Sequence, residues 1–334
     1  MAVNSKLNIT YFLGAGASAN ALPTVKATST SNGLIIGLRD FAGQLKNLEY
    51  DIKFQEYVLN LIKNLTLIAD KTIEFGTPDT YAKFLYLKDK KKLIELKNAL
   101  SAFFLFEQFI NKKFDRRTLI FLTTLLERNI FPENIKILSW NYDFQMQLAA
   151  ETFSKERFVR NSNASVHTPP LINYFPTLGH SMQLNVEEIS MVQLNGIAGS
   201  YYNSQFYRSF FEREEERTLD HLLDLLINPE FDKGSLLTFA WEQNIANESR
   251  NVISQLIATN TDVLIIIGYS FPFFNREVDK GIFESMKSSG RLKIIYYQDP
   301  YKSGDFLRNQ FELSNDIIIR DIKESENYFL PLEL

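Results

Sequence analysis

The chain contains no cysteine. That removes disulfides, a thiolate nucleophile and any Cys-ligated zinc or iron–sulfur centre, and it points to the cytoplasm rather than an oxidising compartment. Histidine is nearly as scarce: His167, His180 and His221 are the only three in 334 residues, too few for a His-rich metal site. No uncharged apolar run approaches the ~18 residues that a membrane-spanning helix needs. Basic residues are not in excess, and a formal net charge of −4 gives no global ground for direct nucleic-acid binding. Nor is there the clustered Asp/Glu/His pattern with which a metal-dependent nuclease holds its ions.

Aromatic and aliphatic residues are abundant. With 28 Phe and 15 Tyr among 45% hydrophobic residues, the chain has the means to bury a core and is not a disordered segment. Its length suits a single large domain over residues 1–334. Near the start, Ile9-Thr-Tyr-Phe-Leu13 runs into Gly14-Ala-Gly-Ala-Ser-Ala19. One reading is a buried strand ending in a sharp turn. The other is a secretion signal, since Lys6 precedes the apolar stretch and Ala17-Ser18-Ala19 fits a cleavage site. Gly14 and Gly16 interrupt the apolar stretch, which favours the turn.

Apolar spacing then follows a helical period from about Leu34 to Arg128, predicting a large helical insertion over 34–130. Its Lys-rich segment KDKKKLIELK reads as a solvated helix face. Strand-like runs return at Ile135–Trp140, Ile189–Leu194, Asp262–Ile267 and Leu292–Tyr297, each ending on polar or Gly residues. Between them, 205–260 reads as a second helical segment, its acidic run Glu212–Glu216 being an exposed helix face. Short apolar strands alternating with helices predict an α/β fold: a Rossmann-like parallel sheet covered by helices on both faces. Ligands of such sheets bind outside the carboxyl ends of the strands.

Gly14-Ala15-Gly16-Ala17-Ser18-Ala19 fits G-x-G-x-x-[GA] after a strand. There the glycines permit a tight turn and let a pyrophosphate approach the backbone, while amides at a helix start face the negative charge. A plain tight turn is the alternative. No acidic residue stands at the end of a second strand about 20 residues on, which counts against hydride transfer. Ser139-Trp140-Asn141-Tyr142-Asp143 places a carboxamide and a carboxylate two residues apart at a strand end, as either a site or an Asx turn with a helix cap.

Taken in order, GAGAS at 14–18, SWNYD at 139–143, QLNG at 193–196, IIIGYSFPFFNREVD at 265–279 and IIYYQDP at 294–300 resemble the sirtuin-like NAD-consuming fold of bacterial antiphage defence. The resemblance implies that Gly14, Ala15, Gly16 and Ser18 cradle the NAD pyrophosphate. It implies that Asn141 positions the nicotinamide ribose and attacking water, and that Asp143 reads the nicotinamide amide. Gly268, Tyr269 and Ser270 would contact the adenosine side, and Gln298 the adenine ribose.

Two departures qualify it. The four-Cys zinc module of lysine-deacylating relatives cannot be built here. Asn195 stands where the family places its general-base His, and an amide cannot take a proton near neutral pH. His180, in the loop between the Asn141 and Asn195 strands, is the substitute expected; His167, stiffened by Pro169 and Pro170, is the weaker one, and His221 reads as an ion-pairing helix residue beside Asp220 and Asp224. What the resemblance implies is an NAD glycohydrolase without a metal, NAD being its substrate. It would be the toxic effector of a defence complex, a homo-oligomer paired with a HerA-type hexameric ATPase. A catalytically silent NAD or ADP-ribose sensor or assembly subunit is the alternative.

Overall fold

The computed structural model describes residues 6–25, 33–126, 130–160, 171–175, 186–200, 217–227 and 235–332. Strand β1 (Ile9–Leu13) pairs in parallel with β2 (Ile135–Ser139) on one side and β7 (Val263–Ile267) on the other. Beyond β2 lie β4 (Met191–Gln193) and then the short β3 (Tyr174–Phe175); beyond β7 lie β8 (Ile294–Gln298) and β9 (Ile318–Ile322). The result is one seven-stranded, all-parallel sheet in the order β3-β4-β2-β1-β7-β8-β9.

Its central strands are apolar at nearly every position because both faces are covered. Ile9, Tyr11, Leu13, Ile265 and Ile267 point to one core; Phe12, Leu138, Leu264 and Ile266 point to the other. The first face is closed by α5 (Arg116–Leu125), α6 (Gln145–Arg160) and the C-terminal residues Tyr328 and Phe329. The second is closed by α8 (Ile245–Thr259), α9 (Arg276–Ser289) and the short α10 (Phe306–Gln310).

The helical insertion expected after β1 comprises α1 (Leu34–Asn47), α2 (Gln55–Phe75), α3 (Pro78–Lys88), α4 (Lys90–Leu105) and α5. Local chemistry starts these helices: Thr77 caps α3 ahead of Pro78, and Asp89 and Asp115 cap α4 and α5. Lys90, Lys91 and Lys92 are exposed as expected, but Lys97 is buried and bonded to Glu242 at 2.6 Å. Within 205–260 the described residues are not all helical. Besides α7 (Leu219–Leu226) and α8 the region supplies β6 (Ser235–Leu237), which pairs antiparallel with β5 (Gly196–Ser200) and packs on the insertion's core. Three strand residues are too few for a periodic signal, so the helical period on either side of β6 dominated the reading.

From β1 the chain proceeds to β2 and β4 on one side, whereas β7, β8 and β9 extend the sheet on the other. The order therefore reverses between β1 and β7, which puts the crevice of such a sheet above those two strand ends.

Candidate functional site

The turn after β1 is a 3-10 turn over Ala15–Ser18. Its glycines meet the backbone at the end of β7. A Cβ on Gly14 would lie 2.6 Å from Gly268 O and Tyr269 Cα, and one on Gly16 would lie 2.7 Å from Gly268 Cα. Gly268 itself has φ +59, and a Cβ there would come within 2.4 Å of Gly16 C. The Gly14 amide donates to Ile267 O at 3.0 Å and the Gly16 amide to Gly268 O at 2.9 Å. Much of the demand for glycine in GAGAS thus comes from the neighbouring loop, and the Gly16 amide is already engaged by protein. Ala15, by contrast, is exposed at the tip of the turn.

The last residue of that turn touches the end of β2. Asn141 Nδ2 donates to Ser18 Oγ at 3.2 Å. The Ser18 hydroxyl lies near enough to the Asp143 carboxylate to favour its ionised form, and Asp143 Oδ1 accepts the Gln145 amide at 3.2 Å. Ser18, Asn141 and Asp143 are all at least nine-tenths buried. Burial pushes the Asp143 carboxyl up from its ordinary 3.8 to about 6; the Ser18 hydroxyl and the Gln145 amide pull it down, and nearby Asp115 adds upward repulsion. The bond to Gln145 is an Asx turn opening α6, so the structural role and the place in the cluster coexist in one side chain.

Two amides from the end of β4 clamp this loop. Gln193 Nε2 donates to Asp143 O at 2.9 Å, and Asn195 Nδ2 donates to Trp140 O at 3.2 Å. Their orientation is dictated, since a carbonyl can only accept. Gln193 Oε1 then receives Gln147 Nε2 at 2.8 Å, which leaves Gln147 Oε1 and Asn195 Oδ1 as buried acceptors without a hydrogen bond. Asn195 therefore has one of its two amide hydrogens committed to the loop and one acceptor to spare.

The remaining expected contacts are distributed differently. Tyr269 is buried; its hydroxyl donates to Asp279 Oδ2 at 2.8 Å and its ring stacks on Trp140 at 6.0 Å. Trp140 Nε1 donates to Asp279 Oδ1 at 3.1 Å, so this carboxylate ties the ends of β2 and β7 to α9. Burial raises the Asp279 carboxyl far above its ordinary value, and these two donors oppose that rise. Ser270 is exposed beside it. Gln298 has all its polar atoms in use: Nε2 donates to Glu324 O and Asn327 O at 2.7 and 2.6 Å, and Oε1 accepts the Phe329 amide at 3.0 Å. It pins the C-terminal segment against the sheet. His221 is half-buried on α7, while His167, His180 and the acidic run 212–216 lie outside the described residues.

Three residues that the sequence left among the helices belong to this neighbourhood. Gln108 lies in the π-turn Phe106–Ile110, and its Oε1 accepts both the Phe144 amide at 2.8 Å and Gln145 Nε2 at 3.0 Å, satisfying donors at the start of α6. Arg117 is paired with Asp115 at 2.6 Å and donates to Ala17 O at 2.9 Å, holding the glycine turn from behind with the Tyr328 hydroxyl. Half-buried Asp79, at the start of α3, interacts electrostatically with Tyr142 and Tyr269, and burial pushes its carboxyl up to about 6. None carried a signal beyond residue type, because each acts through a partner distant in sequence. A cleft of about 560 Å³ opens alongside, between residues 19–23 and an insertion wall that includes Asp40, Gln44, Glu107 and Lys113.

Among the described residues no group of His, Asp or Glu is placed to hold a metal ion, and no helix is long and apolar enough to cross a membrane. No family model and no curated protein matches the sequence, so its classification is that of an α/β fold with an all-parallel sheet.

Proposed function

We propose that the protein is an NAD glycohydrolase, splitting NAD into nicotinamide and ADP-ribose. The observation that carries this reading is the meeting of Ser18, Asn141 and Asp143 at the carboxyl ends of β1 and β2, beside the reversal in strand order. The exposed tip at Ala15 offers backbone to a phosphate, the orphan Asn195 Oδ1 offers an acceptor for a hydroxyl or amide, and the cleft beyond Ala19 has the size of a ligand site. The sirtuin-like order of the motifs supplies the substrate class and a place for the chain as toxic effector of an antiphage complex, a homo-oligomer working with a HerA-type ATPase in the cytoplasm.

Purified protein, alone and with such an ATPase, is expected to release nicotinamide from NAD, and Asn141→Ala to abolish the release while folding as wild type does. Persistent release by that variant would remove Asn141 from the reaction.

One observation favours a second reading, a sensor or assembly subunit that binds NAD or ADP-ribose without cleaving it. Asn195 occupies the expected base position and is committed to bracing the β2 loop. Tight NAD binding with no nicotinamide released, with or without the ATPase, would select it.

A further inference from the structure

The chain is acidic as a whole, with a net charge of −4, but its charge is not evenly spread. Residues 83–92, where α3 ends and α4 begins, carry five lysines and a single acid, Asp89. Lys88, Lys90, Lys91 and Lys92 are exposed, and among the described residues Lys88, Lys90 and Lys91 make no salt bridge. Three of these cations fill the first turn of α4, directly after its cap Asp89. Cations at a helix N-terminus oppose the helix dipole, so the placement costs stability instead of adding it. A plain solvated face does not account for that cost, whereas a polyanion lying over the turn would offset it.

The same corner carries aromatic rings. A cavity of about 400 Å³ is lined by Phe75 from the end of α2, by Tyr81 and Phe84 from α3, and by Lys71, Lys88 and Lys92. The Phe75 ring centroid lies 5.3 Å from those of Tyr81 and Phe84. Phe84 is nevertheless 44% exposed. Both acids in the lining are engaged, Glu74 with Lys71 and Asp89 with the Lys92 amide, so Lys88 is the cavity's uncommitted charge.

We propose that this corner binds single-stranded nucleic acid without sequence selectivity, one base lying against Phe84 in the cavity while Lys88, Lys90, Lys91 and Lys92 follow the flanking phosphates. The inference is independent of the NAD-hydrolysis reading. Every base has a π-face, and a lysine ammonium meets phosphate as a point charge without reading a base edge, so neither contact selects sequence. A duplex keeps its bases stacked inside and could use only the lysines. A bilayer would meet exposed Phe84 and Leu87 but not the rings recessed in the cavity.

Fluorescence anisotropy of a labelled oligonucleotide of about 20 thymidines, titrated with the full chain, is the test. Dissociation constants on the order of micromolar are expected at ~50 mM salt, lower for the single strand than for a duplex of equal length. The logarithm of affinity should fall with that of salt at a slope of about −2 to −3. Replacing Lys90→Gln, Lys91→Gln and Lys92→Gln together should flatten the slope by about 2 and weaken binding at least about tenfold. The unfolding midpoint of this variant should equal or exceed that of wild type, since charges opposed to the helix dipole are gone. Phe84→Leu, which keeps an apolar side chain against Phe75, should weaken binding about fivefold or more with the slope unchanged, and Phe84→Trp should not weaken it. A triple lysine variant that binds as wild type does would overturn the proposal. So would a duplex bound as tightly as the single strand with Phe84→Leu silent, which leaves the cavity unused. Binding of phosphatidylserine vesicles or of polyglutamate, with none of the oligonucleotide, would overturn it too and assign the corner to a membrane or to an acidic protein.

Discussion

The two flanks of the crevice are built by different means. Where β1 meets β7, backbone lies on backbone: Gly14, Gly16 and Gly268 pass so closely that none has room for a Cβ. Where β2 meets β4, the loop Trp140–Asp143 is held by side-chain amides, Gln193 and Asn195, with acceptors left over. The first flank is close-packed backbone, and the second keeps two buried acceptors without a hydrogen bond, Gln147 Oε1 and Asn195 Oδ1. A site gains from both, a rigid floor and a wall held in place by supporting side-chain hydrogen bonds.

Breaking the glycine flank should have the largest effect. Gly268→Ala adds a methyl 2.4 Å from Gly16 C and 2.5 Å from Ala17 N, at a φ of +59 that already strains an L residue. Backbone atoms on both sides cannot yield cheaply. A loss on the order of 4 kcal/mol in denaturant unfolding, or failure to accumulate folded protein, is expected. A loss below about 1 kcal/mol would show that the two turns can separate.

The amide flank should respond with the opposite sign at its buried carboxyl. Asp143 has a folded-state pKa above its ordinary 3.8, at about 6, so the folded protein binds this proton more tightly than the unfolded chain does. Its contribution to stability is full below the ordinary value, declines as pH rises from 3.8 to about 6, and is lost above that. At pH 7 Asp143→Asn should therefore stabilise the protein, by at most about 3 kcal/mol, and flatten the dependence on pH between 4 and 6. Unfolding midpoints across that range measure it. A less stable variant at pH 7 would mean that the ionised carboxylate earns more from Ser18 and Gln145 than burial takes away. Gain of stability with loss of rate is what a functional carboxylate, as opposed to a purely structural one, should produce.

Severing the clamp is the intermediate case. Gln193→Leu leaves Asp143 O without its donor inside a buried site and should cost about 1–3 kcal/mol. Under the hydrolysis reading it should also lower kcat, through misplacement of Asn141 and Asp143. Unchanged stability would mean that water replaces the amide.

The fold was legible because its strands announce themselves. Val263–Ile267 is an unbroken apolar run, Ile9–Leu13 is apolar but for Thr10 and Ile294–Gln298 but for its final Gln298, and each leads into Gly or polar residues, the pattern of strands buried on both faces. The edges were not. β3 has two residues, and β9 (Ile318–Ile322) is largely exposed, so neither presents a long apolar run. In the site, GAGAS and SWNYD were visible by spacing, but the reason for the glycines was incomplete: spacing alone could not reveal Gly268 as the surface they fit. The amide network was invisible, because Gln147, Gln193 and Asp143 are linked only through the folded sheet. Gln108 was hidden more deeply still, since its position depends on a π-turn that interrupts an otherwise ordinary helical period.

A glycine away from the crevice gives the smallest effect and the sharpest control. Gly43 lies inside α1 with nothing within 4 Å of where a Cβ would be. It has no close neighbour to accommodate and no positive φ to supply, so it costs helix stability without a structural return. Gly43→Ala should raise stability by roughly 0.5–1 kcal/mol, a shift of one or two degrees in the unfolding midpoint, and leave any NAD chemistry unchanged. Opposite signs for the same Gly-to-Ala change at 43 and 268 would tie the second glycine's cost to the neighbouring turn rather than to glycine's general effect on the chain. If both variants lose stability alike, the close approach of the β1 and β7 turns is not what sets the requirement for glycine at the crevice.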